Sequence, residues 1–253
     1  CFMEDSILIL ILTAGFIGGF VDSAVGGGGL IRLPALLAAG LPSHTALATN
    51  KFGSTWAAGM SSAQYWMSGI VPKKAASIGW FLMLFMSILG AIAVTKISAS
   101  WVIILVFIVL LVMFLYVLFK KEFGVEENIR EDRIVPVTVS MSTVLGFYDG
   151  FLGPGTGNFL IAGYVKEAGF DMKRAAATSK IVNFGGNVGA LILFASVGLV
   201  DYKVGIPFAI VNIIGGLLGS TYALKYGTKL LRPLFLIISF SLISKIGYDI
   251  LLS

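Results

Sequence analysis

Along this chain the apolar positions come in unbroken runs, and the polar ones cluster briefly between them. Charge-free stretches at 75–95, 97–119, 181–200 and 204–224 each hold the roughly twenty residues that a helix needs to cross a bilayer. The runs are continuously apolar rather than alternating, which predicts spanning helices and not barrel strands. A water-soluble bundle is excluded, because no helix would keep a polar face for water. The pattern resolves into ten apolar elements, near 5–22, 29–40, 45–69, 75–95 and 97–119, then near 134–150, 156–168, 174–198, 204–224 and 232–251. The longest polar segment, 120–133, is a connector between the two sets of five, so 1–253 reads as a single transmembrane domain. The first apolar run has neither a basic leader nor a small-residue cleavage site, and is expected to be a membrane segment rather than a signal peptide.

The two sets are copies of one another. "GFVDSAVGGGG" from Gly19 matches "GFYDGFLGPGT" from Gly146, pairing Asp22 with Asp149, Gly26 with Gly153 and Gly28 with Gly155 at an offset of 127. After a two-residue insertion, "ALATNK" ending at Lys51 matches "AAATSK" ending at Lys180, and Gly69, Val71, Lys74 and Gly90 meet Gly198, Val200, Lys203 and Gly219. Five crossings per copy make the halves antiparallel in the membrane, and basic residues test that count. If all ten elements alternate, twelve lysines and arginines fall on one side and two, Lys96 and Lys203, on the other; merging the first two elements of each half splits them seven and seven. The alternating count is expected, with both termini outside and the central loop in the cytoplasm of a cell (inner) membrane protein.

Composition agrees. Of 253 residues, 57% are hydrophobic and 12% charged, against about 45–50% and 25% in soluble domains. The net charge of +5 follows topology and does not point to nucleic acid. Cys1 and His44 are the only residues of their kinds, which leaves no disulfide, no metal cluster, no Ser/His or Cys/His pair, and so no catalytic residues. No cofactor is expected, and there is no GxxxxGK[ST] motif for ATP.

The second element of each half is short, about ten residues from Leu30 to Ala39, or about 15 Å of helix. It is expected to form a hairpin with the first, broken at Gly26, Gly27, Gly28 and Gly29 and again at Gly153 to Gly157. Glycine costs about 1 kcal/mol inside a helix, so such breaks belong inside the protein rather than against lipid. Broken helices at matching positions of inverted halves point to a transporter's midplane site.

The chemistry gathers beside the breaks. Backbone N–H groups there, with Thr156, would face an anion at a helix N-terminus, or the glycines simply form tight turns. Lys51 and Lys180 head long charge-free runs, where a lysine costs about 2.5–3.5 kcal/mol to insert. They are read as anion ligands, against snorkelling or salt bridges to Asp22 or Asp149. Those aspartates are candidate proton carriers or helix caps. Asn50, Ser179 and Asn183 add neutral groups, for ligand contact or interhelical bonding; Thr49, Thr178 and Asn187 lie near them. Arg32 and Lys245 lack counterparts in the other half and are expected to be interfacial anchors, and His44 to sit in a solvated loop. The spacings Gly15/Gly19, Gly146/Gly150, Gly185/Gly189 and Gly215/Gly219 predict close helix contacts.

"AGFIGGFVDSAVGGGGLIRLPALLAAGLPSHTALATNK", "GFYDGFLGPGTGNF", "AAATSKIVNFGGNVGAL" and "LLRP" resemble the TauE/SafE family of bacterial sulfite-exporter-like membrane proteins. The likeness covers essentially the whole chain; Arg32 departs from it, standing where a small or polar residue is expected. It implies a secondary carrier for a small sulfur-containing anion such as sulfite, thiosulfate or an organosulfonate. The expected protein is thus an all-α bundle of two inverted repeats, about 5–119 and 134–251, working by alternating access, with proton coupling through Asp22 or Asp149 open. An anion channel, or a carrier for another small solute, is the alternative. The expected partners are the anion, the lipid bilayer and, on the apolar faces, further copies of the chain in a homo-oligomer.

Overall fold

The computed structural model describes residues 5–119 and 128–226. The expected last element, 232–251, Lys245 and the "LLRP" motif lie outside them. Every described element is a helix: α1 (Asp5–Val25), α2 (Gly29–Ala38), α3 (Ser43–Met67), α4 (Lys73–Thr95), α5 (Ala99–Phe119), α6 (Glu131–Phe151), α7 (Thr156–Ala168), α8 (Met172–Ser196) and α9 (Tyr202–Tyr226). The chain is a multi-pass helical membrane protein. By length and composition α1, α4, α6 and α9 are apolar enough to span. Helices α3 and α8 are as long as α9, but they carry polar residues that the other helices bury.

Helix ends follow local chemistry. Pro42 and Pro72 stand immediately before α3 and α4, where the missing N–H costs nothing. Gly69 and Gly198 follow α3 and α8 with φ of +76° and +71°, a conformation that stops a helix and that side chains resist. This is why α3 and α8 end two residues before the apolar pattern does.

The short elements fold back as hairpin arms. Gly18 of α1 lies against Arg32 of α2, and Gly163 of α7 against Met141 of α6, so each short helix runs antiparallel to its predecessor.

Fourth helices are exchanged between the halves. Helix α9 packs against α1 and α3, and α4 against α6 and α8. The expected glycine pairs make these contacts: Gly215 and Gly219 face the carbonyls of Phe16 and Phe20, Gly150 that of Ser87, and Gly185 and Gly189 those of Trp80 and Leu84. A side chain at any of them would strike backbone. Residue numbers rise together along each pair, as they do from Gly146/Met83 to Gly150/Ser87 and from Gly53/Phe208 to Ser61/Gly216, so α1, α3 and α9 run one way and α4, α6 and α8 the other. Helices α3 and α8 cross in opposite directions: Thr55 meets Asn187, Gly59 meets Phe184 and Ser62 meets Lys180.

His44 departs from expectation. It lies in the first turn of α3, half-buried, with Nε2 3.1 Å from the carbonyl of Val94, because the end of α4 closes over the start of α3.

Candidate functional site

The two glycine breaks touch. A Cβ on Gly26 would lie 3.0 Å from the backbone of Gly157, and one on Gly29 would lie 3.3 Å from Pro154. Positive φ at Gly26, Gly27, Gly153 and Gly155, between +77° and +91°, turns each chain tightly enough to let backbone meet backbone. Beside this junction α3 and α8 cross and present the polar motif that each half carries.

The charged groups pair across the halves. Lys51 Nζ is 2.7 Å from Asp149 Oδ2, and Lys180 Nζ donates to Asp22 Oδ2 at 2.7 Å. Lys51 also donates to Asn187 Oδ1 at 3.2 Å. The other oxygen of Asp22 accepts the N–H of Gly28 at 3.0 Å, so that glycine donor is already engaged by the protein. Thr156 donates to the Gly153 carbonyl at 2.8 Å, holding the second break. The lysines do not snorkel: both are at most 4% exposed.

Arg32 is not an interfacial anchor. It is 3% exposed, with Nη2 3.3 Å from Asp22 Oδ2 and Nη1 donating to Asn212 Oδ1 at 3.0 Å. Its α2 arm folds inward along α1 and carries the guanidinium to the site. The insertion cost that singles out Lys51 applies equally to an arginine inside a ten-residue apolar helix; its missing counterpart in the second half hid it. Asn212 was likewise legible only as one amide within an apolar run.

Among the described residues, three cations and two carboxylates therefore share the protein interior, a formal sum of +1. The space between them is about 20 Å³, lined among others by Asn50, Lys51, Asp149, Gly153 and Asn183, room for about one water-sized group. Gly27, Gly29, Gly155, Thr156, Asp22 and Arg32 also border it. Gly26, Gly28, Ser179 and Lys180 do not, Lys180 reaching it through Asp22. Buried atoms without a hydrogen-bond partner include Arg32 Nε, Asn50 Oδ1, Ser179 Oγ and Asn183 Oδ1. Buried polar groups are ordinarily satisfied, so these atoms stand out as donors and acceptors with hydrogen-bonding capacity left over.

The family profile described as "Sulfite exporter TauE/SafE" matches residues 11–246. The chain belongs to the TauE/SafE family. A Sinorhizobium protein named "Probable membrane transporter protein ORF9" is 35% identical over 96% of this chain and 93% of its own length. A "Probable membrane transporter protein" of Haemophilus influenzae is 34% identical over 96% and 95%. An Arabidopsis thaliana "Sulfite exporter TauE/SafE family protein 6" is 32% identical over 46% of this chain and 27% of its own length. No solved structure matches the chain. In this TauE/SafE chain the buried charges stand where its own two glycine breaks and two lysine motifs converge.

Proposed function

We propose that this protein is a secondary transporter of a small anion, sulfur-containing by family, which binds among Lys51, Lys180, Arg32 and the two glycine breaks. The observation that carries the reading is the buried charge sum of +1 at that junction. An excess cation away from water is costly, and an anion removes the excess. The pairing of each lysine with the other half's aspartate supports a mechanism of two inverted repeats, in which rocking one half against the other parts and remakes these bridges and exposes the site to each side in turn. An aspartate that takes a proton releases its lysine to the anion, so proton coupling through Asp22 or Asp149 belongs to the proposal. The tightness of the space argues for a carrier rather than an open pore.

Thermal stability of the purified protein in detergent tests the site. An anion at about 100 times its dissociation constant adds about 2.7 kcal/mol. Sulfite, part of which is the hydrogensulfite monoanion near neutral pH, or an organosulfonate is expected to raise the melting temperature in the wild type and not in a Lys51→Ala/Lys180→Ala variant; no response to any anion in folded protein sinks the reading. Proteoliposome uptake that ignores an imposed pH gradient removes the proton from the mechanism while leaving the anion.

A further inference from the structure

We propose that the site selects its anion by charge, taking a single monoanion, and that Arg32 sets this preference. The inference rests on the anion-transport reading above.

Each lysine is already matched by a carboxylate at 2.7 Å. Without a further cation the cluster would be formally neutral and would hold an incoming anion only by hydrogen bonds. Arg32 supplies the missing charge. Two arms of its guanidinium fork are engaged by Asp22 and Asn212, while Nε is buried without a partner. A guanidinium offers its donors in one rigid plane, so that N–H belongs to a group held in place and still able to donate.

The second half lacks this device. At the repeat's first offset Arg32 answers to Phe159, and at its second offset Asn212, which holds Arg32, answers to Met83. The extra cation and its holder are therefore an addition to the repeat, and they come as a pair from two different helices, α2 and α9. A monoanion brings the sum to zero. A dianion of the same shape leaves the interior at −1, repeating with opposite sign the cost that its binding was to relieve.

The test titrates purified protein in detergent with methanesulfonate and with sulfate, at neutral pH and constant ionic strength, following the melting temperature. Both have four groups around sulfur, and they differ in charge. Methanesulfonate is expected to bind at least about tenfold more tightly than sulfate. In Arg32→Gln, which lowers the sum to zero, methanesulfonate affinity is expected to fall at least about tenfold, whereas Arg32→Lys keeps the preference. Asp22→Asn, which raises the sum to +2, is expected to shift the preference toward sulfate. Equal affinity for the two anions in the wild type, or unchanged methanesulfonate affinity in folded Arg32→Gln, overturns the proposal. Anions that bind without regard to charge overturn this inference alone; failure of methanesulfonate, sulfate and sulfite alike to bind overturns the transport reading with it.

Discussion

Asp22 is the residue on which most of the cluster converges. It faces Lys180 and Arg32 and accepts the Gly28 N–H, whereas Asp149 faces Lys51 alone among the described cations. Removing one partner of a buried pair costs about 3–5 kcal/mol, chiefly for the charge left behind. Asp22→Asn leaves two cations uncompensated and Asp149→Asn one, so the first is expected to unfold at lower denaturant. Adding Arg32→Gln to Asp22→Asn removes one of the stranded charges and is expected to restore part of the loss, with a coupling of about 0.5–3 kcal/mol. A double-mutant cycle by denaturant or thermal unfolding in detergent measures it, and strict additivity would mean that Arg32 and Asp22 do not share their charge. That Lys51, Lys180, Asp22 and Asp149 are special positions was legible in the sequence, since charges in apolar runs need a reason, and the structure finds all four buried and paired. Which lysine meets which aspartate was not, because the answer lies in how the two halves interlock. Arg32 was misjudged for a related reason. Symmetry between the repeats drew attention to what recurs, and the residue that tips the charge occurs once.

At the scale of elements, glycine separates two kinds of work. In the helix crossings it removes bulk: Gly150 rests on the Ser87 carbonyl between α6 and α4, and Gly219 on the Phe20 carbonyl between α9 and α1. Valine at either position has no flexible neighbour to push aside, and overpacking of this sort costs about 1–3 kcal/mol. Both variants are expected to lower the melting temperature in detergent, and neither needs to alter charge preference in protein that remains folded. At Gly198 the surroundings are open and only the positive φ matters, so Gly198→Asn is expected to be milder than Gly198→Val, since asparagine enters this conformation more readily. If the two substitutions proved equally harmful, φ would not be the constraint there. Among the described residues the helices and their approximate ends could be read from such punctuation, and the spacing of glycines foretold the crossings. The exchange of α4 and α9 between the halves could not be read, because each apolar face fits several neighbours equally well and only the backbone approach at particular glycines chooses among them.

For the whole molecule the helix directions sort the surface charges before any membrane is considered. Lys73 and Lys74 start α4, Arg133 and Arg174 lie at the starts of α6 and α8, and Lys225 ends α9. Since α4, α6 and α8 run opposite to α9, all of these share one end of the bundle. Lys96, beyond the end of α4, and Lys203, at the start of α9, share the other. The sequence divided these basic residues in the same way by counting crossings, so two independent routes lead to one partition, and the positive-inside rule predicts that the crowded end faces the cytoplasm. The chain's one cysteine, Cys1, makes this direct to test, because Cys1→Ser supplies a cysteine-free background. In intact cells, Lys96→Cys and Lys203→Cys are expected to react with a membrane-impermeant maleimide, whereas Lys74→Cys and Arg174→Cys react only after permeabilisation. The opposite pattern would keep the bundle and invert its orientation. Labelling of Lys74→Cys and Lys96→Cys from the same side would instead remove α4 as a crossing, and with it the arrangement that brings the two glycine breaks together around a shared charge.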